Sequence, residues 1–121
     1  MECAKDIEVE MTFLTPEEGG RSRPAYRGYR PQFYYSGLDF DALHTYIGTE
    51  EVFPGQTVRA YLTFFNPAIQ VGRIHPGLEF LIREGSRTVA RGRILQILEL
   101  DRSARIQAER EKQKKANQEG R

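Results

Sequence analysis

The sequence contains few of the residues that build disulfides, metal sites or membrane spans. Its 121 residues include a single cysteine, Cys3, which excludes an internal disulfide and a cysteine-based metal site. No apolar run approaches the about 18 residues that cross a membrane. The first ten residues, MECAKDIEVE, lack the apolar segment of a secretory signal. We therefore expect a cytoplasmic protein with no membrane partner.

Net charge is also nearly absent. The chain has 18 Lys+Arg and 17 Asp+Glu, a formal net charge of +1, so its overall charge implies no nucleic-acid partner. The distribution is uneven, because residues 101–121 hold seven Lys/Arg against four Asp/Glu. Four arginines also fall within residues 21–30: Arg21, Arg23, Arg27 and Arg30. The sequence therefore carries a local basic patch on a domain that is otherwise slightly acidic.

Alternating apolar residues predict β-strands. Residues 6–13 and 57–64 alternate regularly, which is typical of half-buried antiparallel strands. Shorter strands are predicted at 32–35, 39–47 and from residue 78, and a last strand at 88–99. Pro54 and Gly55 predict a type II turn, and residues 84–87 a hairpin turn. About six short strands with Pro/Gly turns indicate a closed barrel or a sandwich.

Two stretches depart from this pattern. Residues 16–35 form a long loop without periodicity, rich in arginine and aromatic residues, for which binding is a better prediction than catalysis. Residues 94–98 are apolar on both faces, and Gly92 is a candidate bulge. We expect the chain's own tail or another molecule to cover the outer side of that strand. Residues 1–100 are thus predicted to form the barrel, and 101–121 a charged tail that is helical or disordered.

Catalysis is not predicted. His44 and His75 have no partners at metal-binding spacing, so each is expected to be a surface or turn residue. Asp39 and Asp41 share one strand face, but a small filled barrel offers no pocket for a pair of catalytic carboxylates. The sequence has no G-x-x-x-x-G-K-[ST] loop to hold phosphates. We expect no enzyme activity, no cofactor, no metal and no nucleotide binding.

Several motifs resemble one known family. These are EEGGR at 17–21, GYRPQFY at 28–34, PG at 54–55 and IREGSRTVARG at 82–92. In order and spacing they are similar to the C-terminal barrel of bacterial elongation factor Tu, up to about residue 99. The resemblance implies a six-stranded antiparallel barrel. In the parent family this barrel touches the T-stem of aminoacyl-tRNA, the GTPase domain and the nucleotide-exchange factor. The family's GTPase domain and second barrel should precede this barrel, but only about five residues precede the first strand here. We therefore expect a stand-alone protein.

The resemblance also implies an RNA-binding set, with tRNA as the ligand. The matching positions are Arg21, Gln32, Glu84 and Gly85, with Arg23 as an additional contact. Arginine pairs with phosphate, and a carboxylate can accept a hydrogen bond from a ribose 2′-hydroxyl. The sequence departs from the family at Ser22, where the family has histidine, at Ser86, where it has glycine, and at Asp41, where it has threonine. Fewer phosphate contacts imply weaker, less salt-dependent binding.

Other interpretations of the same residues remain open. Arg21, Arg27 and Arg30 could instead pair with Glu17, Glu18 and Asp39. Tyr29 and Phe33 are expected to pack in the barrel. On the last strand, Arg87, Arg91 and Arg93 share one parity and, with Ile94 and Leu95, form a candidate partner-binding surface or a salt-bridged face opposite Glu79.

Two functions follow from these alternatives. The first is recognition of a translation-related protein by the barrel. The alternative is RNA binding through the arginine loop.

Overall fold

The computed structural model describes residues 3–119. Within them the chain forms eight strands and two α-helices: β1 Ile7–Phe13, β2 Ala25–Tyr26, β3 Gln32–Tyr35, β4 Leu38–Tyr46, β5 Glu51–Val52, β6 Thr57–Phe64, α1 Pro67–Gln70, β7 Glu79–Glu84, β8 Arg87–Ile97 and α2 Leu100–Glu119. The strands predicted from alternation are all present, with bounds within a few residues of those expected.

Six of the strands close into an antiparallel barrel in the order β1-β6-β4-β3-β7-β8. β1 pairs with both β6 and β8, which closes the barrel and leaves no free edge on that strand. β2 and β5 form a separate two-stranded ribbon. The predicted six-stranded closed barrel is confirmed.

The interior of the barrel is filled by the inward residues of the alternating strands. Ile7, Val9 and Met11 of β1 are each 0% exposed. The aromatic ring of Phe33 lies 4.5 Å from that of Phe80 and 5.2 Å from that of Phe64, measured between centroids. Side chains therefore occupy the space in which a larger barrel would hold a ligand.

The prediction of a bulge at Gly92 is wrong. The register between β1 and β8 shifts after Glu8, which pairs with Gln96, to Val9, which pairs with Ile94, so Leu95 is the extra residue. This insertion explains why alternation fails after Ile94. Gly92 is required because a Cβ there would lie 2.5 Å from the Glu10 carbonyl oxygen and 2.8 Å from a ring carbon of Phe80.

The loop at residues 16–35 has more regular structure than the sequence indicated. Pro16–Glu18 form a 3-10 turn capped by Thr15, whose backbone N–H and side chain both bond to Glu18. Further along, β2 pairs with β5, and the Arg27 N–H donates to the Glu50 carbonyl at 2.7 Å. These bonds order the backbone at the start of the loop and around Arg27.

The charged tail forms α2, which packs mainly against α1. Gln107 makes two of the connecting bonds, donating to Asn66 Oδ1 at 2.7 Å and accepting from the Ala68 N–H at 2.9 Å. The Ser103 hydroxyl donates to buried Asp6, and Leu100 is 2% exposed. The outer side of residues 94–98 keeps some exposure, since Leu98 is 39% exposed.

Candidate binding site

The hairpin between β7 and β8 positions a cluster around one carboxylate. Glu84 ends β7 and Arg87 begins β8, and the two residues pair across a turn in which Gly85 has a positive φ of 60°. Arg87 donates to Glu84 Oε1 at 2.8 Å. Arg21 and the hydroxyl of Tyr29 both donate to Glu84 Oε2. We call Arg21, Tyr29, Glu84 and Arg87 the Glu84 cluster.

Arg21 is fixed by more than this ion pair. Its guanidinium lies 4.8 Å from the centre of the Tyr29 ring and donates to the Pro24 carbonyl at 3.3 Å. Its Nε also donates to the Arg23 carbonyl at 3.4 Å, while the Arg23 side chain is exposed beside it. The loop at 16–35 therefore places Arg21 against the hairpin and leaves Arg23 facing solvent.

The electrostatics of the cluster follow from burial and hydrogen bonding. Burial alone would raise the pKa of Glu84, but the bonds from Tyr29, Arg87 and Arg21 outweigh it and hold the pKa below its usual value. Burial, followed by the Glu84 carboxylate, raises the pKa of Tyr29, so its hydroxyl stays protonated and donates. The result is an anion that is fully engaged by three donors from its own chain.

A buried histidine lies behind the cluster. His44 of β4 is 0% exposed, its Nδ1 lies 3.1 Å from the Tyr46 hydroxyl oxygen, and its ring packs edge-on to that of Tyr29 at 5.5 Å. Burial lowers the pKa of His44 to about 3, so the ring is neutral at pH 7. The expectation that His44 is a surface or turn residue is wrong. The alternation of β4 contained the correct signal, because His44 is in phase with buried Ala42 and Tyr46.

Gln32 lies next to the cluster but is already hydrogen-bonded. It sits opposite Asp41 on β4 and opposite Arg83 on β7, the residue before Glu84. Its Nε2 donates to Asp41 Oδ1 at 2.8 Å. The positions matched by the family resemblance, Arg21, Gln32, Glu84 and Gly85, are thus brought together at one end of the barrel, although Asp41 engages the glutamine.

Arg83 is a member of this surface that the sequence did not single out. Its guanidinium lies 4.3 Å from the centre of the Tyr34 ring and its Nε 3.9 Å from Asp39 Oδ1.

The predicted pairing of Arg21, Arg27 and Arg30 with Glu17, Glu18 and Asp39 is wrong. Arg27 instead pairs with Glu50 at 3.1 Å, and Arg30 lies 4.6 Å from the centre of the Phe65 ring.

The predicted arginine stripe on β8 is only partly formed, because a register shift separates Arg87 from the other two arginines. Arg87, Arg91 and Arg93 are all exposed, and Arg93 donates to Glu10 at 3.4 Å. Leu95 is half-buried, but Ile94 is 1% exposed and belongs to the core, so its predicted place in a partner-binding surface is wrong. Arg91 and Arg93 pair with the outward residues Leu81 and Glu79 of β7. Val89 is an extra residue at the register shift, so Arg87 pairs with Glu84 and belongs to the Glu84 cluster.

Within residues 3–119, no group of three or more His, Cys, Asp or Glu side chains is arranged to hold a metal ion. None of the helices formed by these residues has the length and apolar character needed to cross a membrane.

The sequence model of the family described as "Elongation factor Tu C-terminal domain" matches residues 1–98. The match includes the whole barrel and ends before α2.

Proposed function

Because the chain belongs to the elongation factor Tu C-terminal domain family, we propose that it is a non-catalytic binding module of translation elongation that recognises a protein partner. The proposed contact surface, which we call the rim surface, consists of the Glu84 cluster, Gln32, Arg83 with Tyr34, and the exposed Arg91 and Arg93 of β8. A cytoplasmic location is part of this proposal.

The observation that carries the proposal is that several donors of the rim surface are already bonded to carboxylates of the same chain. Arg21 and Arg87 both bond to Glu84, and Gln32 bonds to Asp41. A phosphate backbone would have to compete with these carboxylates for the same donors, which removes much of the electrostatic gain on which nucleic-acid binding depends. A protein can contact the cluster with its bonds intact.

The composition of the rim surface also fits protein recognition. Arginine and tyrosine are enriched at the centres of protein interfaces. Here Arg21 stacks on Tyr29 and Arg83 stacks on Tyr34, so two guanidinium groups are held in place before any partner arrives. Prior ordering lowers the conformational entropy lost on binding.

The test is a pull-down from lysate with and without RNase, using the wild-type chain and an Arg91→Glu variant. Arg91 is an exposed residue of the rim surface, so reversing its charge should remove a specific protein that RNase leaves in place. Arg102→Glu, on α2 outside the rim surface, is the matched control and should retain it. Loss of all captured proteins after RNase treatment would refute protein recognition.

RNA binding is the second candidate, and the convergence of Arg21, Gln32, Glu84 and Gly85 favours it. Arg23, exposed beside Arg21, is the side chain best placed to add a phosphate contact. Under this alternative tRNA binds at low ionic strength and is released as the salt concentration rises. Arg23→Ala lowers by about 1 the slope of the logarithm of the binding constant against the logarithm of the salt concentration. A mobility-shift assay that finds no tRNA complex at low salt would exclude it.

A further inference from the structure

A groove lies between α2 and the end of β6. Its volume is about 460 Å³, and Phe64 and Pro67 are buried at its base. Phe65 and Ile106 border it and remain 49% and 41% exposed. Large apolar side chains left exposed together around a depression are typical of an interaction site.

The groove is already formed in the isolated chain. Gln107 joins α2 to Asn66 and Ala68, and Ser103 joins it to Asp6, so the two walls are fixed relative to each other. Ile106 belongs to α2, outside the family match that ends at residue 98. A ligand would thus enter a site that this chain forms with a segment beyond the family domain.

The groove is lined by one arginine and two carboxylates, but most of the exposed charges around it are positive. Arg110 lines it, and Lys114 follows one helical turn later on the same side of α2. Of the two carboxylates that line the groove, Asp6 is 0% exposed and accepts from the Phe64 N–H at 2.8 Å and from Ser103, whereas Glu111 is exposed and accepts from Gln107 at 3.1 Å. Arg30, whose guanidinium lies 4.6 Å from the centre of the Phe65 ring, adds a third exposed positive group. Within residues 3–118, no ion pair joins Arg110 or Lys114 to a carboxylate.

We propose that this groove binds an acidic peptide segment of a protein partner. The segment inserts a large apolar side chain between Phe65 and Ile106, and its carboxylates pair with Arg110 and Lys114. Arginine suits this role because its guanidinium can bond a carboxylate through two parallel N–H donors. The proposal does not depend on the rim surface and would survive its failure.

The test uses ¹⁵N-labelled protein and two designed amphipathic peptides, one of leucine and glutamate and one in which lysine replaces every glutamate. The glutamate peptide should shift the amide resonances of Phe65, Ile106 and Arg110 and saturate. Arg110→Glu should weaken binding about tenfold, because it replaces attraction by repulsion at the groove. Lys112→Glu makes the same charge change on the opposite side of α2 and should weaken binding less than about twofold.

Three outcomes would overturn the proposal. The first is an equal loss of affinity in the Arg110→Glu and Lys112→Glu variants, which would reveal general charge attraction. The second is a response at the groove to poly(U) or to the lysine peptide and none to the glutamate peptide. The third is a concentration-dependent shift of groove resonances in the free protein that Ile106→Ser abolishes, which would identify a second copy of this chain as the occupant.

Discussion

Replacing His44 by glutamine should remove much of the loss of stability that the wild-type protein suffers in mild acid. His44 is fully buried, and burial lowers its pKa to about 3 from an ordinary value of 6.5. The unfolded chain therefore binds a proton on this residue at a pH where the folded chain does not. Stability from this residue is fully present above pH 6.5 and is lost as the pH falls towards the folded-state pKa.

The magnitude follows from the gap between the two pKa values. Between pH 7 and pH 5, protonation of His44 in the unfolded chain alone costs the folded state about 2 kcal/mol. Burial, which is only partly offset by the bonds from Ser103 and the Phe64 N–H, raises the pKa of Asp6 and gives a contribution of the opposite sign. Because Asp6 is present in both proteins, the difference between wild type and His44→Gln isolates the histidine.

Urea unfolding at pH 7 and pH 5 measures the effect. The wild type should lose about 2 kcal/mol more between these pH values than His44→Gln does. The matched control is His75→Gln, which replaces the exposed histidine and leaves His44 in place, and it should show the wild-type loss. Equal losses in wild type and His44→Gln would refute the reasoning, and so would an NMR titration in which the folded-state pKa of His44 lies above 5.

Four further substitutions test other contacts. Gly92→Ala should lower the free energy of unfolding by about 3 kcal/mol, because its Cβ would meet a backbone carbonyl. Gly85→Ala should lower it by only about 1 kcal/mol, because a Cβ at Gly85 would point into open space and only the positive φ is unfavourable. Equal costs of the two substitutions in urea unfolding would contradict this. Tyr29→Phe should cost about 1–2 kcal/mol in the same assay, because a carboxylate loses a partly buried donor. No loss would show that the bond contributes nothing to stability. Gln107→Ala should accelerate amide hydrogen exchange in residues 100–111 roughly tenfold and leave β1 unchanged; unchanged exchange in α2 would refute its role.

Much of the fold could be predicted because local patterns determine it. Alternation predicts that Val58, Ala60 and Leu62 lie in the core, and all three are buried. Pro54 and Gly55 predict a turn, and in the structure Gly55 has a φ of +87° and the Gln56 N–H donates to the Phe53 carbonyl. The position of the bulge is not predictable in this way, because a break in alternation indicates that a residue is inserted but does not identify which residue it is. The register that identifies Leu95 is a property of the pairing with β1.

The candidate site was less predictable because its bonds join distant parts of the chain. Arg21 and Tyr29 are separated from Glu84 by 63 and 55 residues, whereas proximity in the sequence favours Glu17 and Glu18 as partners of Arg21. Family motifs identified which positions would converge, but not that Glu84 would be shared by three donors. A residue's partner across a barrel is fixed by strand order, and composition carries little information about strand order.

The double pairing of β1 has a consequence for how the protein is made. Its partners on β8 lie about 80 to 90 positions later in the chain, so this pairing must close a long loop and should be among the last to form. While the ribosome is still synthesising β8, β1 and β7 each expose an unpaired edge to neighbouring chains. The nascent chain is therefore most prone to misassembly in the interval before residue 97 emerges, and a chaperone that shields strand edges would act at that point.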